Sequence, residues 1–234
     1  MTLGAVDAIN RAQVIVISCA EHRMLLGSDF LGLRPDVRIV LAGGVDEEAA
    51  VLPSQPGTGA PTPVDVDEHC ADVTATVIDA ASQGLEVVRL VSGDPFLDGD
   101  IGAEAAAVAR ADYDVDVVPG VTGMTAVPEY AGLTLHGHDV QLIGDAACQR
   151  DIAGHGSNWS DQGLVVVNTE AGKLKEVVKH AIESGRGEDE PAALICHGAT
   201  TQQTTHTVTL GELPQTAKTC LLYTSDAADD LLCV

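Results

Sequence analysis

The sequence predicts an α/β fold, because short β-branched runs alternate with longer stretches of helical apolar periodicity. The runs Gln13–Ser18 (QVIVIS), Val37–Ala42 (VRIVLA) and Leu85–Val91 (LEVVRLV) have the continuous apolar character of buried parallel strands. The last runs straight into a glycine-rich loop and an alanine-rich helix, which makes a βα unit. The rhythm changes beyond Leu133, so two α/β domains are expected, over residues 1–135 and 136–219.

Thr2 is placed to cap a first helix whose inner face would carry Leu3, Val6, Ile9 and Ala12. No strand precedes that helix, where an α/β domain would ordinarily begin, so the chain reads as truncated at its N-terminus or started at a late codon. A helical stretch links the first two strands. Residues 52–64, with four prolines, two glycines and no apolar period, read as a flexible loop. Val66–Gly84 reads as a helix with Val73, Val77, Ile78 and Ala81 inward, and a further helix is expected over Ile101–Arg110. Tyr113–Gly120 (YDVDVVPG) repeats the strand pattern, and Thr122 can cap a short helix after it. Strands are then expected near Val140–Ile143, in the run GLVVVNT before a helix that stops at a glycine, at Ala192–Cys196 and at Thr204–Leu210.

The 234 residues carry 35 Asp+Glu against 12 Lys+Arg, a net charge of −23, with only 3% aromatic residues. That charge, without a basic stripe, argues against a nucleic-acid partner, which needs cations to replace condensed counterions. No apolar run approaches the roughly 20 residues of a bilayer span, and no signal peptide is evident, so a cytoplasmic protein without membrane contact is expected. The six cysteines show no CxxC spacing, which suggests neither a disulfide framework nor a zinc ribbon. The final residues Cys220–Val234 (CLLYTSDAADDLLCV) resemble a translated sequencing adapter, so the natural chain is expected to stop near Thr219 and the tail to be artefactual. The tail holds Asp226, Asp229 and Asp230 and no Lys or Arg, so without it the charge is −23 + 3 = −20.

In open α/β sheets ligands bind beyond the carboxyl ends of strands, where backbone N–H groups and helix N-termini converge. Three such loops stand out: Ser92-Gly93-Asp94-Pro95-Phe96, Pro119-Gly120-Val121-Thr122-Gly123 and His197-Gly198-Ala199-Thr200-Thr201. They suit a small polar, nucleotide-like ligand, although taken alone they are better accounted for by ordinary βα turn chemistry.

Taken in order, TLGAVDAINRAQVIVIS, RLVSGDPF, VVPGVTGMTAVPEYAGLTL and ESGRGEDEPAALICHGATTQQTTHTVTLGEL resemble the tetrapyrrole methylase family. Its branch of uroporphyrinogen-III C-methyltransferases, including forms associated with uroporphyrinogen-III synthase, is the most similar. The resemblance implies a two-domain tetrapyrrole methylase fold, shortened at both ends, with S-adenosylmethionine bound between the domains. It implies double C-methylation of uroporphyrinogen III to precorrin-2, towards sirohaem and cobalamin, and a homodimer by analogy. Carried over by motif, the cofactor contacts are Ser92, Gly93, Asp94 and Leu97, then Thr122 and Gly123, then Thr169, with Asn168 beside it, and Gly198.

The chain also departs from the family pattern. The family's Gly-Pro-Gly-Asp-Pro loop is not found ahead of Thr2. Where the family has Tyr-Asp-Arg, with its proposed acid/base aspartate, this chain has Ile17-Ser18-Cys19; no lysine follows Leu41-Ala42-Gly43-Gly44. Phe-Gly-Arg-Gly becomes Leu97-Asp98-Gly99-Asp100, and Thr-His-Arg becomes His136-Gly137-His138. No catalytic residue is assigned, Glu21, His22 and Glu129 being near by sequence position alone, and the chain as it stands is expected to be inactive and to bind the cofactor poorly. A second reading is a degenerate methylase-fold domain serving as a scaffold or binding module beside a synthase domain; a third is a methylase of the same fold acting at another ring carbon.

His136 and His138 at i, i+2 lack a third ligand, so no metal site is expected. The acidic runs Asp46-Glu47-Glu48 and Glu188-Asp189-Glu190 serve solubility. Lys173, Lys175, Lys179 and Arg186 form a small basic group with helix-face pairing as its default reading. Arg23, Arg34, Arg38 and Arg89 are the cations available to a polycarboxylate substrate.

Overall fold

The computed structural model describes residues 1–43, 68–70, 72–99, 101–156, 158–222 and 230–233, with the side chains of 20, 21, 68–70, 171, 219–222 and 230–233 left aside. The loop expected over 52–64 and the run Asp46-Glu47-Glu48 lie outside these residues. Two compact units, Met1–Val121 and Thr122–Val234, divide the chain. The division falls ahead of the expected 135/136 boundary, because Met124, Val127, Leu133 and Leu135 pack with residues of the second sheet.

In the first unit, α1 (Leu3–Arg11), β1 (Val14–Ile17), α2 (Ala20–Leu26), β2 (Arg38–Ala42), β3 (Glu68–Cys70), α3 (Val73–Ser82), β4 (Val87–Arg89) and α4 (Gly102–Arg110) follow in order. The strands form a parallel sheet ordered β3-β2-β1-β4. All four residues of β1 are buried, and their two-residue alternation builds a core on each face. Ile15 and Ile17 meet Ile9, Ala12 and Leu26 on one side, while Val14 and Val16 meet Ala80 on the other. Burying each such aliphatic side chain contributes about 1.5–3 kcal/mol.

Thr2 caps α1 by accepting from the Ala5 N–H, yet Leu3, expected on the inner face, is exposed. The helix expected from Val66 begins instead at Val73, where the Asp72 carboxylate accepts from the Ala75 N–H; residues 68–70 are strand, paired with β2. Tyr113–Gly120 forms no strand ladder despite its alternating valines.

The second unit contains α5 (Gly123–Tyr130), β5 (Val140–Ile143), α6 (Asp145–Ile152), β6 (Leu164–Thr169), α7 (Leu174–Glu183), β7 (Pro191–Cys196), β8 (Thr204–Thr209), α8 (Leu213–Leu222) and β9 (Asp230–Cys233). Its sheet runs β5-β6-β9-β7-β8, parallel only between β5 and β6. The central β9 belongs to the tail set apart in the sequence. Val165, Val167, Leu194 and Cys196 face the larger core, to which α7 adds Leu174, Val177, Val178 and Ala181 at helical spacing. Val166, Ala193 and Ile195 face α5 through Met124 and Val127. Among the described residues, no helix is long and apolar enough to cross a membrane.

Buried Arg186 ties the end of α7 to the loop before β6. Its guanidinium donates to the carbonyls of Ser160 (2.9 Å) and Gly163 (2.9 Å) and to Glu190 (2.9 Å). It is thus a structural clamp and no part of a surface basic group. Lys173 and Lys179 pair instead with Glu170 and Glu183.

Candidate functional site

In the first unit, the loop after β4 is fixed by its own aspartates. Asp94 Oδ1 accepts from the N–H groups of Phe96 (3.0 Å) and Leu97 (3.1 Å), and Asp98 Oδ2 accepts from the Asp94 N–H (2.6 Å). Gly93 adopts φ +67°, a left-handed conformation that favours glycine, and a side chain there would also strike the Asp98 carboxylate. Gly120 packs so closely that a β-carbon on it would overlap the Gly93 carbonyl oxygen. The structure therefore brings Ser92, Gly93, Asp94 and Leu97 into one rigid turn with Gly120 against it, and leaves Phe96 and Leu97 exposed at its tip.

His22, a residue without an assigned role in the sequence, joins this turn. It is 4% exposed, and its Nε2 lies 2.9 Å from Ser92 Oγ. It stands on α2, just beyond the carboxyl end of β1, and β1 pairs with β4, so two adjacent strand ends deliver the two side chains. The only sequence signal for it was that position. Ser18, just after β1, accepts a hydrogen bond from Arg89 Nη1 (3.2 Å). Arg89 also pairs with Glu104 at 3.2 Å, largely shielded from solvent. Arg34 is bound by Asp36, whose side-chain hydrogen bond raises the guanidinium pKa; the same contact holds the Asp36 carboxyl below the usual range. Two of the four arginines considered for a polycarboxylate thus already have carboxylate partners.

In the second unit, Thr122 Oγ1 accepts from the Met124 N–H (3.1 Å), and Gly123 opens α5. Gly198 packs on Val127, one turn along that helix, with no room for a β-carbon. The structure so places Thr122 and Gly123 at the start of α5 and Gly198 against Val127 farther along it. His197 and Ala199 flank Gly198 with φ of 51° and 58°, left-handed values that cost non-glycine residues about 1 kcal/mol or more. The turn is held by Thr200 Oγ1 donating to the His197 carbonyl (2.7 Å) and the Ala199 N–H donating to Gln203 Oε1 (2.8 Å).

Thr169 ends β6 and is buried beside Cys148, whose thiol is pushed up to about 11, chiefly by burial. His136 and His138 sit in an exposed turn before β5 and not on a strand. Among the described residues, no three His, Cys, Asp or Glu side chains gather as metal ligands.

A parallel sheet whose strand-end loops carry closely packed glycines, followed by a mixed sheet with a strained glycine turn, defines a class of two-unit α/β proteins. Residues 1–214 match the family model of Tetrapyrrole (Corrin/Porphyrin) Methylases, and the chain belongs to that family. It is 36% identical over 154 residues to a siroheme synthase of Pseudomonas fluorescens (strain SBW25), covering 61% of this chain and 32% of that protein. It is 28% identical over 218 residues to a uroporphyrinogen-III C-methyltransferase of Sinorhizobium sp, covering 90% of this chain and 70% of that one. The chain thus spans about a third of the length of the siroheme synthases it matches. Its fold is similar to that of uroporphyrin-III-C-methyltransferase from Thermus thermophilus, with TM-score 0.65 and 21% identity over 100% of this chain and 87% of that one. A structure of the Thermus thermophilus enzyme complexed with S-adenosylhomocysteine is also similar, with TM-score 0.57 and 18% identity over 100% of this chain and 90% of that one.

Proposed function

We propose that this chain is an S-adenosylmethionine-dependent C-methyltransferase domain acting on uroporphyrinogen III or a related tetrapyrrole, on the route to precorrin-2 and sirohaem. Family membership and the uroporphyrinogen-III C-methyltransferase relative support the reaction. The single observation that supports the site is the turn after β4, where Asp94 accepts from the Phe96 and Leu97 N–H groups and left-handed Gly93 packs backbone to backbone with Gly120. In this reading Ser92, Gly93, Asp94, Leu97, Thr122, Gly123, Thr169 and Gly198 hold the cofactor. The sulfonium supplies an activated methyl group, and the chain's own task is to align it with a nucleophilic ring carbon. The adduct must then lose a proton, and no acid or base is assigned to that step. A homodimer and a cytoplasmic setting complete this reading.

Incubation with methyl-labelled S-adenosylmethionine and uroporphyrinogen III tests it. Label in the tetrapyrrole supports the reading, and no transfer with no cofactor binding overturns it. A binding module that has lost catalysis is the second reading, favoured by Ser18, which offers Arg89 a hydroxyl where the family's motif has an aspartate. Cofactor binding without transfer, by a protein carrying both units, would select it.

A further inference from the structure

We propose that His22 is a positioning residue for cofactor binding: from within the first unit it fixes the direction of the Ser92 hydroxyl, which then receives a hydrogen-bond donor of the ligand, a hydroxyl or an amine. The proposal rests on the reading of Ser92 as a cofactor contact. His22 is 4% exposed, so its ring is out of a ligand's reach, whereas Ser92 is exposed. The imidazole therefore acts through Ser92 Oγ, 2.9 Å from its Nε2.

Both members of the pair are held from behind. On α2, His22 and Leu26 share one helix face at i, i+4, and Leu26 is buried with Ile9, Ala12, Ile15 and Ile17, so the imidazole is seated from the core side. Ahead of Ser92, the Leu90 N–H donates to the Val16 carbonyl (2.9 Å); after it, the Asp94 N–H donates to Asp98 Oδ2 (2.6 Å). The backbone of Ser92 is thus fixed on both sides, and its side-chain rotor is the freedom that remains. A serine free to turn samples three staggered wells, and a ligand that needs one of them must order it on binding. The bond to His22 selects the well beforehand. A neutral imidazole accepts from the hydroxyl in one tautomer and donates to it in the other, and in both Oγ keeps a lone pair. A donor on the ligand is therefore the group that either arrangement receives.

The test is NMR of the whole chain titrated with S-adenosylhomocysteine into the millimolar range. It compares the parent with His22→Leu, with His22→Gln, whose terminal amide reaches about as far as Nε2, and with Ser92→Ala alone and combined with His22→Leu. The Ser92 Hα–Hβ couplings should report one rotamer in the parent and in His22→Gln, and an average over the wells in His22→Leu. Binding should be about three- to tenfold weaker in His22→Leu, recover in His22→Gln, and be indifferent to His22→Leu in the Ser92→Ala background. Averaged couplings in the parent overturn the proposal, and so does a loss of binding on His22→Leu that persists in the Ser92→Ala background. Equal binding by the parent and His22→Leu overturns this proposal alone, whereas a parent that binds no S-adenosylhomocysteine overturns the cofactor reading together with it.

Discussion

The carbonyl oxygen of Gly93 occupies the place that a β-carbon on Gly120 would take. Two chain segments thereby meet backbone to backbone, and Asp98 holds the first of them by accepting from the Asp94 N–H. Gly120→Ala must push the turn away. A loss of about 1–3 kcal/mol is expected in urea unfolding, against no more than about 0.5 kcal/mol for Gly172→Ala, whose added carbon meets nothing within 4 Å.

Ser92 and His22 share a hydrogen bond at the ends of two neighbouring strands. Ser92→Ala removes a partner of a buried ring nitrogen and is expected to cost about 1–2 kcal/mol. A double-mutant cycle with His22→Ala should return a coupling of about 0.5–1.5 kcal/mol; additive effects would mean that the two side chains do not interact.

Arg186 is 7% exposed and spends its guanidinium on three loop carbonyls and one carboxylate. Arg186→Met strands those acceptors and is expected to cost about 3–5 kcal/mol. Arg186→Lys should recover little of it, since an ammonium cannot reproduce the fork. Thermal unfolding of the three proteins decides the matter.

Burial alone would push the Glu190 carboxyl up, but the Gly187 N–H and Arg186 outweigh it and hold the group below the usual carboxylate range. A depressed folded pKa stabilises the fold at pH values above the unfolded pKa, and that contribution is lost as the pH falls through the folded pKa. Unfolding free energy measured from pH 7 down to pH 3 should therefore fall less steeply in Glu190→Gln than in the parent.

The Cys148 thiol, pushed up to about 11 by burial, should stay unmodified by iodoacetamide at pH 8. Cys19, partly exposed after β1, should react before it. Peptide mass spectrometry after brief labelling separates them; early modification of Cys148 would mean the second core opens readily.

The strands that could be read from the sequence are those whose composition suffices. Val14–Ile17 and Arg38–Ala42 are apolar and β-branched throughout, and burial on both faces follows. Tyr113–Gly120 has the right residues but no ladder partner among the described residues, and a strand is defined by its neighbour. α6 was hidden because its stretch is polar, with Cys148 and Asp151 its buried residues. Arg186 looked like a surface cation, since nothing local foretells carbonyls contributed by residues 160 and 163. The motif order gave the family and the turn at Ser92–Leu97. It could not give His22, which reaches Ser92 only because β1 and β4 are neighbours in the sheet.

The central proposal is that the turns at Ser92–Leu97, at Thr122–Gly123 and at Gly198 each offer cofactor-binding backbone. Amide hydrogen exchange or NMR of the whole chain with millimolar S-adenosylhomocysteine tests it most directly. The account predicts perturbation of Gly93, Asp94, Leu97, Thr122, Gly123 and Gly198 that Gly120→Ala weakens; a saturating ligand that leaves all six unchanged would contradict it.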